Sequence, residues 1–307
     1  MSDISVGNIL KAALPTPMRR ALRAFLHYVQ RVGRWPIILW QVRGTTRQDQ
    51  WVLLRSALAA PFLSIEEPLE WQDPILLANA QVDVRGVGRF MIRAHSDELW
   101  HVLPWRERAT FRLLHDKLRL GDTFIDAGAN IGVYSVLAAR LVGPHGKVFS
   151  VEMMPDTVEH LEHNLALNGI SNATVCRAAL SNRIDQFITA EVQPGKYGQA
   201  TISPVKADPT AIRSEVKTTT LDEVSTGLRH VRFVKMDLEG AEALALQGAK
   251  VLLRKTDYLI YENWGRSWKE SNSLDLCLRE VGFTLRRIDG NNWLAVRSGS
   301  RRQDQEG

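Results

Sequence analysis

A glycine-rich turn stands between an apolar run and a helix-like stretch in the middle of the chain. It reads Asp126-Ala-Gly128-Ala-Asn130-Ile-Gly132 and follows the apolar run Thr123-Phe-Ile. Gly128 permits a tight turn and the close approach of a ligand, Asn130 tolerates a left-handed backbone, and Gly132 lets the start of the helix pack closely. A strand-to-helix turn of this kind is typical of a nucleotide site.

The spacing of the glycines in this turn distinguishes between two possible nucleotide cofactors. A dinucleotide motif of the form G-x-G-x-x-G would need a glycine at Val133. The carboxylate of Asp126 suits a ligand with ammonium and sulfonium charges better than a pyrophosphate, which prefers uncompensated N–H groups. Glu152 ends the next predicted strand, where an acid can accept hydrogen bonds from both ribose hydroxyls. These features predict S-adenosylmethionine as the cofactor, with NAD as the alternative.

The bulk composition is that of an ordinary globular protein, with 45% hydrophobic and 24% charged residues. Its two cysteines give neither a disulfide framework nor zinc spacing, which favours the cytoplasm. Residues 1–50 hold eight Lys or Arg and two Asp, a local net charge of +6, while the whole chain carries +5. The excess charge therefore belongs to an N-terminal extension, and no nucleic-acid partner is expected.

Within this extension Met18, Leu22, Phe25, Val29 and Val32 recur at helical spacing, and arginines fall on the other faces. The pattern predicts a basic amphipathic helix. One interpretation is attachment to an anionic membrane surface through residues 18–40, helped by the tryptophans of Trp35-Pro-Ile-Ile-Leu-Trp40. The other is packing of the helix on its own domain or on a second subunit, and the oligomeric state stays open.

The rest of the chain alternates strand and helix patterns, which predicts a doubly wound, mostly parallel α/β sheet of seven strands. A small hairpin is predicted within 81–103 and a long loop within 191–215. The predicted strands are 123–127, 147–152, 173–179, 232–237, 258–263, 283–288 and 292–297, with a terminal hairpin adding an antiparallel strand. The predicted helices are 105–118, 130–142, 156–168, 241–254 and 273–281.

Two strand ends carry acids that could perform chemistry, because ligands of such sheets bind beyond the carboxyl ends of the strands. One is Lys235-Met-Asp237-Leu-Glu239, and the other is Glu262-Asn263. Asp237 or Glu262 could act as the base that takes a proton from an alcohol during methyl transfer. Alternatively, the oxygens of Asp237, Glu262 and Asn263 could hold Mg²⁺. Asp237 could also contact the cofactor, with Lys235 as the partner of the acid.

Together these motifs resemble the FkbM family of S-adenosylmethionine-dependent methyltransferases over about residues 105–297. The resemblance implies a Rossmann-like methyltransferase fold that methylates a hydroxyl of a small-molecule, glycan or secondary-metabolite acceptor. Beyond the turn and Glu152, it rests on Pro155, Asn164, Asn168, Thr220-Leu-Asp222, Lys235-Met-Asp237-Leu-Glu239-Gly-Ala-Glu242 and Glu262. The implied cofactor residues are Asp126, Gly128, Asn130, Gly132, Glu152 and Asp237, and the implied catalytic residues are Asp237 and Glu262.

Three segments follow from these patterns. They are a basic helical extension over 1–80, a methyltransferase domain over 81–297 and a disordered polar tail over 298–307. Two other functions remain as alternatives: an NAD-dependent dehydrogenase, and a catalytically weak methyltransferase-like scaffold in a glycan-assembly complex.

Overall fold

The computed structural model describes residues 15–66, 73–202, 208–263 and 268–299. Within these ranges the helices are α1 (Thr16–Gln41), α2 (Arg47–Glu66), α3 (Glu98–His101), α4 (Arg108–Lys117), α5 (Val133–Val142), α6 (Pro155–Leu167), α7 (Leu221–Val224), α8 (Glu242–Gln247), α9 (Lys250–Arg254) and α10 (Trp268–Glu280). The strands are β1 (Val42–Gly44), β2 (Ala80–Val84), β3 (Gly88–Ile92), β4 (Thr123–Ala127), β5 (Lys147–Glu152), β6 (Ala173–Arg177), β7 (Ala179–Leu180), β8 (Phe187–Val192), β9 (Ile212–Thr219), β10 (Val231–Met236), β11 (Thr256–Glu262), β12 (Phe283–Asp289) and β13 (Asn292–Arg297).

Seven strands form the central sheet in the order β12-β13-β11-β10-β4-β5-β6. The neighbours from β11 to β6 run parallel, and every residue of β10 is buried, as expected for a strand covered on both faces. β13 runs antiparallel to both β11 and β12. The predicted fold class and its antiparallel strand are therefore confirmed, although that strand is inserted between two others rather than added at the edge.

The order of the strands reverses between β4 and β10, because the chain adds β5 and β6 on one side of β4 and the later strands on the other. In such a sheet the loops that leave the two strands diverge at the reversal and open a crevice beyond their carboxyl ends. The turn that begins with Gly128 follows β4, and Asp237 follows β10. Both predicted motifs therefore border the crevice.

Several predicted segments differ from the observed ones; the helix predicted over 273–281, for example, begins at Trp268. The helix predicted over 241–254 is divided into α8 and α9, because the N–H groups of Val251 and Leu252 are bonded to the Asp222 carboxylate instead of to the preceding helical turn. The strand predicted over 173–179 ends at Arg177, and β7 leaves the sheet to pair with β9. The loop predicted over 191–215 is partly strand, because β8 and β9 pair with each other. The helix predicted from residue 130 begins at Val133, because Asn130 and Gly132 have left-handed backbone.

The N-terminal helices are joined to the rest of the molecule by a second sheet of three strands, β1-β2-β3. β1 pairs antiparallel with β2, so residues on both sides of the predicted boundary at residue 80 share one sheet. β2 and β3 are the predicted hairpin. α1 continues through Pro36, and none of the described helices is both long and apolar enough to cross a membrane. Most of the predicted tail, residues 300–307, lies outside the described residues.

Candidate functional site

A cleft opens at the carboxyl ends of β4, β5 and β10 and encloses about 810 Å³, its open mouth included. Its lower wall is the turn after β4, and its far side is the segment around Tyr197 and Gly198. The residues that line it are His101, Arg106, Gly128, Ala129, Asn130, Val133, Tyr134, Val151, Glu152, Met153, Ala178, Ala179, Leu180, Tyr197, Gly198, Ala200, Ile202, Lys235, Asp237, Leu238, Glu239 and Ala241. Most of the predicted cofactor residues and Asp237 therefore face one space.

The turn after β4 depends on left-handed backbone at three positions. Gly128, Asn130 and Gly132 have φ values of +82°, +48° and +91°. A Cβ on Gly128 would lie 1.9 Å from the carbonyl oxygen of Asp237, so only glycine allows the ends of β4 and β10 to approach this closely. A Cβ on Gly132 would lie 2.6 Å from the side chain of Leu161, so the close packing at the start of α5 is against α6.

Glu152 holds the turn in place from the end of β5. One carboxylate oxygen accepts the backbone N–H groups of Met153 and Met154 at 2.9 and 3.0 Å, and the other accepts that of Asn130 at 2.9 Å. Burial raises the pKa of Glu152, and these three hydrogen bonds oppose the shift. A carboxylate has about four lone-pair positions, so about one remains for a ligand. Two ribose hydroxyls would have to share it.

Asp126 lies beneath the cleft rather than along its wall. Its side chain is fully buried in β4, level with Lys235 of β10 and Ser150 of β5. Its Oδ2 accepts the Ser135 hydroxyl at 2.6 Å, and its Oδ1 has no hydrogen-bond partner in the described part of the chain. Burial raises the pKa of Asp126 to about 6, against the opposing charge of Lys235. The acid at this position therefore sets the charge under the turn, and its predicted contact with the cofactor stays a prediction.

Lys235 and Asp237 form an ion pair at the end of β10. The Lys235 ammonium lies 3.1 Å from Asp237 Oδ2 and 4.7 Å from the ring centre of Tyr134. Although burial opposes the charge of Asp237, the nearby Lys235 ammonium holds the pKa of this carboxyl below its ordinary value. The pKa of Lys235 is raised in turn by Asp237, Glu107 and Asp126, against the effect of its own burial. The predicted partnership of Lys235 with an acid is thus present, and that acid, Asp237, is half-buried.

Three acids meet at the mouth of the cleft. Single carboxylate oxygens of Asp237, Glu239 and Glu262 lie within 4.8 Å of one another. Burial and the negative charges of Asp237 and Glu242 raise the pKa of Glu239 to about 7. Glu239 has a left-handed φ of +50°, which is uncommon for a residue with a side chain.

The predicted group therefore converges, with Glu239 as a member that sequence reasoning did not assign to it. The amide N–H of Asn263 donates to the Asn291 carbonyl oxygen at 2.9 Å, so the backbone after β11 is tied to the β12–β13 turn. Among the described acids, histidines and cysteines, Glu239 joins Asp237 and Glu262 in a group that could hold a metal ion, and the predicted part of Asn263 in such a group stays a prediction.

A polar network on the opposite wall was not predicted as a unit. The Tyr134 hydroxyl donates to the carboxylate of Glu107, and Glu107 also pairs with Arg106 at 3.0 Å. Arg106 contacts the ring of His101 at 2.9 Å, and His101 lies 3.3 Å from Asp97. None of these residues is among the site residues predicted from the sequence. Tyr134 could have been predicted as a site residue, because it lies in the first turn of α5 and this turn must face the cofactor site.

The asparagines of the motif hold other segments against the site. Asn164 is fully buried, donates to the Ile131 carbonyl oxygen at 2.9 Å and accepts the Met91 N–H at 2.8 Å. It therefore ties the β2–β3 hairpin to the nucleotide turn. Asn168 exchanges two hydrogen bonds with the backbone of Arg89, at 2.9 and 2.7 Å.

Asp222 also has a supporting role. Its carboxylate accepts the backbone N–H groups of Val251 and Leu252 at 2.9 and 2.7 Å and thereby fixes α9. The asparagines and Asp222 position the fold around the cleft, and none of the three lines it.

A seven-stranded sheet with this order and one inserted antiparallel strand, carrying a glycine turn and an acid at adjacent strand ends, defines a Rossmann-like S-adenosylmethionine-dependent methyltransferase. The family model for the methyltransferase FkbM domain matches residues 126–285. The chain belongs to this family, as its sequence motifs predicted. Family membership favours the methyltransferase over the dehydrogenase alternative.

Individual relatives are more distant. The chain is 25% identical over 203 residues to methyltransferase sdnD of Sordaria araneosa, covering 55% of this chain and 76% of that protein. It is 36% identical over 59 residues to the protein-L-isoaspartate O-methyltransferase of Ignicoccus hospitalis, covering 19% of this chain and 28% of that protein. The match thus spans under a third of that relative's length. The chain is also similar to the crystal structure of methyltransferase FkbM from Methylobacillus flagellatus, with 18% sequence identity and a TM-score of 0.39. This match covers 65% of this chain and 54% of that protein.

Proposed function

We propose that this methyltransferase transfers the methyl group of S-adenosylmethionine to a hydroxyl of a glycan or other small-molecule metabolite. One observation carries the proposal: a half-buried glutamate with a pKa of about 7, Glu239, faces the cleft beside Asp237. A hydroxyl must lose its proton during methylation, and a base whose pKa lies near the working pH serves this purpose best. A neutral amine needs no such base before it reacts, so this residue favours an oxygen acceptor.

The cofactor residues proposed from the sequence are Asp126, Gly128, Asn130, Gly132, Glu152 and Asp237. The buried Oδ1 of Asn130, which has no partner among the described residues, supports a ligand seated against this turn, and Gly128 lines the same cleft. The remaining lone-pair position of Glu152 suits a ribose hydroxyl, and the ionised Asp237 suits the ammonium of the methionine end. When bound, S-adenosylmethionine supplies an electrophilic methyl group on a sulfonium centre.

The roles of the three acids at the mouth differ by charge state. Asp237, whose pKa is held low beside Lys235, stays ionised and is a poor proton acceptor, so we assign it to the cofactor rather than to catalysis. Glu239 is the proposed base, and Glu262 is the second candidate because its oxygen lies in the same group. This modifies the sequence prediction, in which Asp237 and Glu262 shared the catalytic role.

A metal-assisted form of the reaction is the alternative mechanism. Oxygens of Asp237, Glu239 and Glu262 come close enough together for one ion, and carboxylates are ligands that Mg²⁺ accepts. In that case Mg²⁺ would lower the pKa of the acceptor hydroxyl, and no carboxylate would be needed as base. Activity measured with added Mg²⁺ and with excess chelator separates the two mechanisms, because a carboxylate base works equally well in both.

The charges around the cleft favour a small acceptor over a nucleic acid. The cleft lining holds the acids Glu152, Asp237 and Glu239 against the bases Arg106 and Lys235, so it offers no excess of positive charge to phosphates. The net positive charge of the chain belongs instead to the first 50 residues, which hold eight Lys or Arg and two Asp.

The cofactor proposal is tested by calorimetric titration of S-adenosylmethionine, and separately of NAD, into the full chain and into Glu152→Gln. Loss of one charged hydrogen bond is expected to weaken S-adenosylmethionine binding about 10- to 100-fold. Glu162→Gln, on an exposed ion pair with Arg177, is the matched control and should bind normally. Equal binding by all three proteins would contradict the assignment of Glu152.

The acceptor proposal is tested by transfer of labelled methyl to a panel of hydroxyl-bearing and amine-bearing compounds. We expect methyl ethers, and a rate that falls about 100-fold or more in Glu239→Gln while S-adenosylmethionine affinity is kept. The rate of the wild type should fall as the pH drops below about 7, because Glu239 then becomes protonated. Glu215→Gln, on the exposed surface, is the control. Products methylated only on nitrogen would overturn the proposal.

A further inference from the structure

The two N-terminal helices carry most of the exposed large apolar side chains of the described protein. Of seventeen such residues, eleven lie on α1 and α2. On α1 they are Met18, Leu22, Phe25, Leu26, Val29, Ile37 and Trp40, and on α2 they are Trp51, Leu54, Leu58 and Phe62. We call these eleven side chains the α1–α2 apolar face. Such a concentration is unusual, because exposed apolar residues of a soluble monomer are normally scattered.

The apolar stripe of α1 points away from the body of the protein. Arg31, Trp35 and Ile38 form its buried stripe, whereas Val29 is exposed. Residues two positions apart on a helix differ by about 200° in direction, so Val29 lies nearly opposite Arg31. Residues 15–23 are all exposed, so the first turns of α1 extend beyond the packed body. The predicted amphipathic pattern is therefore present, but its apolar side is not the side that packs.

The same relation holds on α2. Leu58 is 70% exposed and Phe62 73% exposed, while Ala60 between them is buried. The two helices pack against each other. Two helices in contact with each other therefore each expose an apolar stripe. Trp35, expected to lie at a membrane interface, is buried instead, and Trp40 and Trp51 are the exposed tryptophans.

Positive charge borders this face. Arg19, Arg20, Arg23, Arg47 and Arg55 are exposed on the two helices, and Asp49 is the one acid in the stretch 16–63. We infer that the α1–α2 apolar face docks the enzyme on an anionic membrane surface, with phenylalanines and leucines in the acyl boundary, tryptophans at the headgroup level and arginines on anionic lipid phosphates. The arginines favour this occupant over a second apolar protein surface, because they would lose hydration there without gaining counter-charges.

The docked orientation has a consequence for the site. A cavity between the helices and the body is lined by Arg31 and Trp35 of α1, by Ala60 of α2, and by Gly195 and Gln199. The last two flank Tyr197, which lines the methyltransferase cleft. The helices that carry the apolar face thus adjoin the loop at the cleft through their opposite, packed side, so membrane docking would hold that loop about one helix diameter, about 10 Å, from the lipid surface.

The test is co-sedimentation of the full chain with vesicles of phosphatidylcholine alone and of phosphatidylcholine mixed equally with phosphatidylglycerol. We expect binding to the anionic vesicles, weaker binding to the neutral ones, and release by high salt. The double variant Phe25→Ser with Phe62→Ser should lose about 100-fold in affinity, about tenfold for each ring withdrawn from lipid. Phe187→Ser is the matched control, because this ring is also 67% exposed but lies on β8.

A second pair of substitutions tests the charges. Arg19→Gln with Arg23→Gln should weaken binding to anionic vesicles about fivefold for each charge removed, and should leave binding to neutral vesicles unchanged. Failure of the wild type to bind anionic vesicles would overturn the inference, as would equal losses in the Phe187 control. Sedimentation without lipid covers the other occupant. A dimer that becomes a monomer in the Phe25 and Phe62 variant would show that the face joins two copies of the chain.

Discussion

Replacing Asp126 by Asn should remove a large part of the pH dependence of stability. Burial raises the pKa of Asp126 to about 6 in the folded protein, from an ordinary value of 3.8. Because the folded state binds this proton more tightly, Asp126 contributes stability that is fully present below about pH 4 and is lost as the pH rises to about 6. The difference between the two pKa values corresponds to about 3 kcal/mol of unfolding free energy, of which about 2 kcal/mol falls between pH 4.5 and 7.5.

The amide keeps the shape of the side chain. Asn can place its Oδ1 where the Asp126 Oδ2 accepts the Ser135 hydroxyl, and its amide group takes the position of the Oδ1 that has no partner in the described structure. Any cost of burying that amide without an acceptor is the same at every pH. The unfolding free energy of Asp126→Asn, relative to wild type, should therefore rise by about 2 kcal/mol from pH 4.5 to pH 7.5.

Urea unfolding at several pH values, without cofactor, measures this difference. Ser56→Ala removes a buried polar group that carries no charge and serves as the control, so its curve should stay parallel to that of the wild type. Parallel curves for Asp126→Asn and wild type would refute the reasoning, because they would mean that the buried acid binds its proton equally in both states.

Two further substitutions test the close approach and the ion pair at the ends of β4 and β10. Gly128→Ala should lose more stability than Gly86→Ala in urea unfolding. Both positions have a left-handed φ, but only at Gly128 would the added Cβ meet the Asp237 carbonyl oxygen, at 1.9 Å. Equal losses of stability would assign the whole cost to backbone strain. Lys235→Met should lower the unfolding free energy by about 3 kcal/mol. This value is at the low end of the losses caused by removing one partner of a buried ion pair, because the Asp237 side chain is 30% exposed. The exposed Lys250→Met should change it by less than about 0.5 kcal/mol, and an equally small loss at Lys235 would contradict the role of that ion pair.

The parts of the site that could be predicted from the sequence lie within one short segment or at the ends of neighbouring parallel strands. The turn after β4 was predicted because its glycines and Asn130 follow a buried strand directly, and the left-handed φ of Asn130 agrees. Asp237 and Glu262 were brought together correctly because parallel strands joined by one crossover are neighbours. The role of Glu239 could not be predicted, because its raised pKa depends on its burial and on its distance from Asp237 and Glu242, which the order of residues does not show.

The parts that could not be predicted depend on contacts between distant segments. The network of Tyr134, Glu107 and Arg106 joins α5 to the residues just before α4, and no periodic pattern links them. The division of the helix at Gly248 has the same origin, because Asp222 of another segment accepts the N–H groups of Val251 and Leu252. In both cases the sequence contains the residue types but not the distance between them.

The N-terminal helix shows why an amphipathic pattern alone does not identify the buried side. Helical periodicity fixes the angle between apolar and polar faces, and it predicted a helix where α1 is found. It does not state which face meets the protein. The packed stripe of α1 contains Arg31 together with Trp35 and Ile38, whereas the more uniformly apolar stripe through Phe25 and Val29 remains exposed. An exposed face that is more apolar than the packed one is stabilised when a second apolar environment covers it and removes it from water. Because arginines border this face, an anionic bilayer is the environment that suits both kinds of residue.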